Sequence, residues 1–180
     1  EMCIRDSLVT DQVYEKEHNG VLMISILSHV VEFRNSESGQ HVLHIRTLTG
    51  LLLHQLVQKT DRYQLDESDI SLISTASALH DIGKIMIPEE ILNKPGRLTE
   101  EEYATIKTHT TEGARILKGL AIGQDEPLVK VAHAICRWHH ERWDGGGYPD
   151  RLKGDEIPIA AQVVALADVY DLSLIHISEP

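Results

Sequence analysis

The chain reads as an all-α fold, on three observations. Apolar residues recur with a helical period along most of its length, and β-branched residues nowhere alternate with polar ones over a long run. Aromatic residues make up only 4% of the 180 residues, which suits helices better than strands. Helix-start signals also stand in front of several of the periodic stretches. There is no internal repeat and no low-complexity tract.

Taken in order, residues 8–34 read as one or two helices, with Asn19-Gly20 a weak point. Their apolar residues Val21, Leu22, Ile24, Ile26, Leu27, Val30 and Val31 suit core or coiled-coil packing and carry no chemistry. Ser36-Glu37-Ser38-Gly39 is a turn into a second long helix over about 40–59. Asp66 caps a third helix that runs to His80. Gly83, Pro88 and Asn93-Lys94-Pro95-Gly96 then break the chain. Thr99-Glu100-Glu101-Glu102 is a capping box that opens another helix. Asp125-Glu126-Pro127 opens one ending near His140. Residues 141–157 form a long loop rich in Gly, Asp and Pro. Residues 158–171 read as a buried helix through Ile159, Ala160, Val163, Val164, Leu166 and Ala167.

The two ends read differently from the rest. Glu1 to Ser7 and Leu172 to Ile177 with the following serine are encoded by one short DNA string and its reverse complement. Residues 1–7 and 172–180 therefore resemble a translated sequencing adapter and are set apart from the fold. Residues 8–36 are expected to be a linker helix and 37–171 a single domain, large enough for a real core. The net charge of −11 argues against coating a nucleic-acid polymer, which calls for a basic face. A small phosphate ligand remains compatible where metals and a few cations supply local positive charge. With Cys3 in the adapter-like string, Cys136 stands alone, and a reduced, cytoplasmic setting fits. No run of about 18 apolar residues marks a membrane segment.

Chemistry concentrates in His41, His80-Asp81, His109, His139-His140 and Asp168. These blocks are far apart in sequence, yet all fall on helices or helix ends. Bundled together, they offer five imidazoles and two carboxylates, a donor set suited to a pair of iron, manganese or zinc ions. Such a pair activates water for attack on a phosphate ester.

His80-Asp81 and His139-His140 each follow an apolar run directly, which places them where unpaired polar groups are costly. Asp168 sits on an otherwise apolar helix face. Glu37 lies four residues before His41, a spacing that allows joint binding and equally suits a helix start. His109 by itself reads as a surface histidine. His18, His29, His44, His54 and His133 lack such company and read as surface or satisfied core. Lys84, one helical turn past His80, is placed to stabilise charge or to protonate a leaving group. The loop that begins at His139-His140 reads as part of the site rather than as a free surface loop. Its Arg142, Gly147, Tyr148 and Pro149 are the substrate-binding candidates.

The strings His80-Asp81-Ile82-Gly83-Lys84, His139-His140-Glu141-Arg142-Trp143-Asp144-Gly145 and Gly147-Tyr148-Pro149 resemble the HD-GYP subgroup of the HD phosphohydrolase superfamily. Ile87-Pro88 through Asn93-Lys94-Pro95-Gly96, and Lys107-Thr108-His109, fit it as well. The resemblance spans about Glu37 to Asp171. It implies an HD-type helical bundle around two or three divalent metals, commonly iron or manganese. It also implies hydrolysis of cyclic di-GMP to pGpG or GMP in bacterial second-messenger signalling.

Position by position, it makes His41, His80, Asp81, His109, His139, His140 and Asp168 metal ligands. Asp81 is the bridge and a catalytic residue, Glu37 is the extra ligand of trinuclear members, and Lys84 is the lysine near the scissile phosphate. An upstream receiver or sensor domain is a further implication, with response regulators the usual setting. The family continues past the Asp171 region with a ligand-holding Arg and Lys and further helices. The domain is therefore expected to be C-terminally truncated, with an exposed apolar face and low stability. Two alternatives are an HD-family phosphohydrolase acting on another nucleotide, and a non-catalytic HD-GYP docking module.

Overall fold

A computed structural model describes the backbone of residues 2–34, 40–120, 123 and 125–178, with side chains described within 18–173. All regular structure among these residues is helical. The helices are α1 (Met2–Phe33), α2 (Gln40–Lys59), α3 (Glu67–Ser77), α4 (Glu89–Leu92), α5 (Glu100–Lys107), α6 (His109–Lys118), α7 (Pro127–Trp138) and α8 (Ile159–Ser178). Two short 3₁₀ turns lie at Ile82–Met86 and Gly154–Glu156.

Local chemistry sets most of the boundaries. Asp66 accepts from the Asp69 N–H while the Asp69 carboxylate accepts from the Asp66 N–H, a reciprocal cap that opens α3. Thr99 and Glu102 do the same for α5. Glu102 is further tied to the Lys94 ammonium at 2.6 Å. Pro127 occupies the first turn of α7, where its missing N–H costs nothing.

The third helix is shorter than its apolar run suggests. It stops at Ser77, and the N–H groups of Leu79 and His80 reach back only three residues, to Ala76 and Ser77. His80 and Asp81 therefore stand in a tightened turn rather than on the helix. His109 and Asp168 sit on helices, His109 as the first residue of α6.

α2 packs on α3 and α8, and α7 packs on α3, α6 and α8. Ile45, Leu53, Ile70, Ile73, Ala76, Ile135, Val164 and Ala167 form the centre of the core between them. In α1, Val31 is buried and Ile24 packs on this core, while Leu22, Met23, Ile26, Leu27 and Val30 are exposed. In α8, Leu166 points outward with Val169 and Tyr170, because Val163, Val164, Ala167 and Asp168 take the inner face. The backbones of α1 and α8 continue as helix into both adapter-like strings. No helix among the described residues is long and apolar enough to cross a membrane.

Candidate metal centre

Five elements bring the predicted ligands to one place. α2 supplies His41, the turn after α3 supplies His80 and Asp81, α6 supplies His109, the end of α7 supplies His139 and His140, and α8 supplies Asp168. They fall into two groups. His41, His80 and Asp168 form one and His109, His139 and His140 the other, with ligand atoms inside each group within 4.8 Å of one another. Asp81 lies between them. Its Oδ2 is 3.2 Å from Nε2 of His80, and its Oδ1 is 3.3 Å from Nε2 of His109 and 3.8 Å from that of His139. One carboxylate thus turns one oxygen to each group. Glu37 lies outside the described residues.

The ring orientations are set from behind. The Nδ1 of His80 faces the Ser77 carbonyl at 3.0 Å, that of His109 faces Ile106 at 2.7 Å, and that of His139 faces Ile135 at 3.0 Å. A carbonyl only accepts, so each Nδ1 carries the hydrogen. The lowered pKa of His109 and His139 leaves their Nε2 lone pairs facing the centre, and that of His80 is presented once its ring is neutral. His41 is held the same way by a carboxylate, its Nδ1 lying 2.7 Å from Oδ2 of Asp171. Backing of this kind is characteristic of metal-binding imidazoles. The Nε2 of His80 and the Oδ1 of Asp81 are buried without a hydrogen-bond partner. Orphaned polar atoms of this sort are costly in a protein interior. A divalent cation in each group would relieve that cost, one at His80 and one at Asp81 Oδ1, so the residues present fit a metal pair.

Electrostatics divides the two groups. Burial and the neighbouring His109 lower the pKa of His140 to about 4. Burial and His140 likewise hold that of His139 well below the ordinary value. These imidazoles are therefore neutral and ready to donate. Burial opposes charge on His41, but hydrogen bonds to Asp168 and Asp171 outweigh it and raise its pKa to about 9. Burial likewise opposes charge on Asp81, and the positive charges of Lys84 and His80 overcome it, holding the carboxyl ionised. The Lys84 ammonium sits 2.8 Å from Oδ2 of Asp81.

Two glycines permit this assembly. A Cβ on Gly83 would collide with the His109 carbonyl and the Gly113 amide, so the turn after Asp81 presses on α6 only because that side chain is absent. A Cβ on Gly147 would collide with the backbone of His140, Glu141 and Arg142. The loop therefore folds back tightly on the end of α7, and Tyr148 stacks on His140 with centroids 4.8 Å apart.

The sequence reading did not single out Glu141 or Asp171. The buried Glu141 carboxylate accepts from the N–H groups of Asp150, Arg151 and Leu152 at 2.7–3.0 Å, which makes the loop a built structure. Nothing local in the sequence marks that role. Asp171 is buried and also faces Nδ1 of His44 at 2.9 Å. Its signal was the three-residue spacing from Asp168, which puts both carboxylates on one helix face.

Beside the loop lies a cavity of about 620 Å³, lined by Tyr103, Lys107, Thr108, Thr111, Gly145 to Pro149 and Arg151. Gly147, Tyr148 and Pro149 face it. Arg142 does not line it, being exposed and paired with Asp144 at 2.7 Å.

Residues 23–174 match the family of HD domains. The chain is 42% identical over 145 residues to a 3′3′-cGAMP-specific phosphodiesterase 2 of Vibrio cholerae, covering 81% of this chain and 26% of that protein. It is 40% identical over 149 residues to a cyclic di-GMP phosphodiesterase of Thermotoga maritima, covering 83% and 38%. It is 37% identical over 164 residues to the cyclic di-GMP phosphodiesterase response regulator RpfG of Xanthomonas campestris, covering 91% and 40%. The chain thus spans between about a quarter and two fifths of the length of these relatives.

Proposed function

The chain belongs to the HD domain family, and from that membership we propose that it hydrolyses a cyclic dinucleotide, cyclic di-GMP first, to pGpG or GMP. The observation that carries this reading is Asp81, with one carboxylate oxygen turned to each of two ligand groups. His41, His80 and Asp168 would hold one metal, and His109, His139 and His140 the other, with Asp81 placed to serve both. Iron or manganese is the expected metal, and Glu37 is the candidate further ligand. When bound, the metals supply Lewis acidity, which activates water and neutralises charge on the phosphate.

The residues of the chain supply the rest. Lys84, held at Asp81, stabilises charge at the phosphate or hands a proton to the leaving 3′ oxygen. Gly147, Tyr148 and Pro149 form the edge against which the nucleotide docks, and Tyr148 presents a face for a base to stack on. Lys107, its ammonium 5.0 Å from the Tyr103 ring centroid and 5.8 Å from that of Tyr148, brings positive charge to the cavity of an acidic chain. Arg142 contributes if it leaves Asp144 when substrate binds. A cytoplasmic setting and an upstream receiver or sensor domain complete the reading; the match to a response regulator supports the latter.

A second substrate has specific support, because three relatives are named for 3′3′-cGAMP. The test is anaerobic incubation with Fe(II) or Mn(II) and either cyclic dinucleotide, with products identified by mass spectrometry. The unsubstituted chain should release linear product, and Asp81→Ala should lose turnover and metal together. Activity retained by Asp81→Ala would sink the site assignment. Intact substrates in a folded, metal-loaded chain would favour another phosphoester or a docking role without catalysis.

A further inference from the structure

Arg34 directly follows α1, its N–H donating to the Val31 carbonyl at 3.2 Å. Its guanidinium reaches across to the 3₁₀ turn Ile82–Met86 that follows Asp81. It donates to the carbonyl of Ile85 at 2.6 Å and, less closely, to those of Ile87 at 3.4 Å and Lys84 at 3.5 Å. In return the Asn93 side-chain amide, just beyond α4, donates to the Arg34 carbonyl at 2.7 Å. The Lys84 carbonyl also accepts from the Ile87 N–H at 3.1 Å. Carbonyls at the end of a helical turn otherwise lack partners within it, and a planar fork of donors suits several of them at once.

The turn so held is the one that matters most to the centre. The Lys84 N–H donates to the Asp81 carbonyl at 2.9 Å, and the Lys84 ammonium rests on the Asp81 carboxylate. Two residues before Arg34, Glu32 is buried and close enough to His41 to act on its charge. The end of α1 therefore meets the turn that follows Asp81 and acts on His41 in the first ligand group.

We infer that Arg34 is a positioning residue, a latch by which the end of α1 fixes the Asp81–Lys84 turn relative to α6, so that a shift of α1 is felt as a shift of Lys84. The catalytic part of this inference rests on the phosphodiesterase reading. The structural part does not.

The test compares the Mn(II)-loaded chain with its Arg34→Ala and Arg34→Lys variants. Amide hydrogen exchange, metal content, and kcat and KM for the cyclic dinucleotide are measured side by side. Arg34→Ala should raise exchange at residues 82–87 about tenfold or more, with α7 and metal content as in the unsubstituted chain. Its kcat should fall roughly ten- to a hundredfold with KM nearly unchanged. Arg34→Lys, a single-point donor, should behave more like alanine than like arginine.

Three results overturn the latch: unchanged exchange at 82–87, exchange raised equally throughout the domain, or a loosened turn with undiminished kcat. If the unsubstituted chain turns over no cyclic dinucleotide, the phosphodiesterase reading falls, and exchange at 82–87 still decides whether Arg34 holds the turn.

Discussion

Asp171 has the clearest consequences of any single residue. Its carboxylate holds Nδ1 of both His41 and His44, and only the first of these is a candidate ligand. Asp171→Asn keeps the size but removes the charge that favours Nδ1–H on His41. Metal affinity in the His41, His80 and Asp168 group should fall roughly ten- to a hundredfold, while the other group keeps its ion. Metal titration followed by elemental analysis checks this, and equal loss from both groups would refute it. Glu141 makes a different kind of contribution. Three backbone N–H groups converge on one buried carboxylate, so it shapes the loop and leaves the chemistry to others.

Among the elements, the decisive contact is the turn at Gly83 against the start of α6. Asp81 reaches His109 because nothing stands between the two backbones. Gly83→Ala forces them apart at a cost of about 1–3 kcal/mol, a fall in Tm of roughly 2–4 °C per kcal/mol for a chain of this size. Widening the gap also withdraws Asp81 Oδ1 from the second group, so bound metal should drop along with Tm. Thermal melting with and without Mn(II) separates the two effects. A variant that melts lower yet binds metal normally would show that the close approach serves packing alone. The capping boxes at Asp66 and Thr99 act differently, since they fix where α3 and α5 begin without reference to the site.

Across the whole molecule, the imidazoles make metal-free stability depend on pH in two opposed ways. His140 titrates at about 4 in the fold against an ordinary 6.5. Its contribution is therefore complete above about pH 6.5 and is lost as pH falls towards 4. His139 and His109 are shifted in the same direction. His41 is raised to about 9, so its contribution is complete below 6.5 and is lost as pH rises through 9. His80 is raised as well. The Tm of the metal-free chain should therefore peak near pH 6.5 and decline on both sides. A Tm that rises steadily from pH 4 to 9 would contradict the two-group electrostatics.

Much of this was legible without coordinates, for a physical reason. Helix period, capping residues and turn breakers act over three or four neighbours, so the all-α class, the openings of α3, α5 and α7, and the start of α2 follow from local sequence. Part of the candidate donor set was legible too, since His80-Asp81 and His139-His140 follow apolar runs where polar groups need a partner, whereas His109 alone reads as a surface histidine. What packing alone decided spans long separations. His41 and Asp171 meet across 130 residues, and Arg34 meets Ile85 across 51. The end of α3 belongs with these, because the turn bearing His80 and Asp81 is set by the glycine that meets α6. The outward face of Leu166 follows the placement of α8 against its neighbours. The sequence marked the candidate ligands and most of the helices that carry them, though not the turn that holds His80 and Asp81. The tertiary structure decided that they form two groups with one aspartate between them, because no local interaction brings five separate segments to a common point.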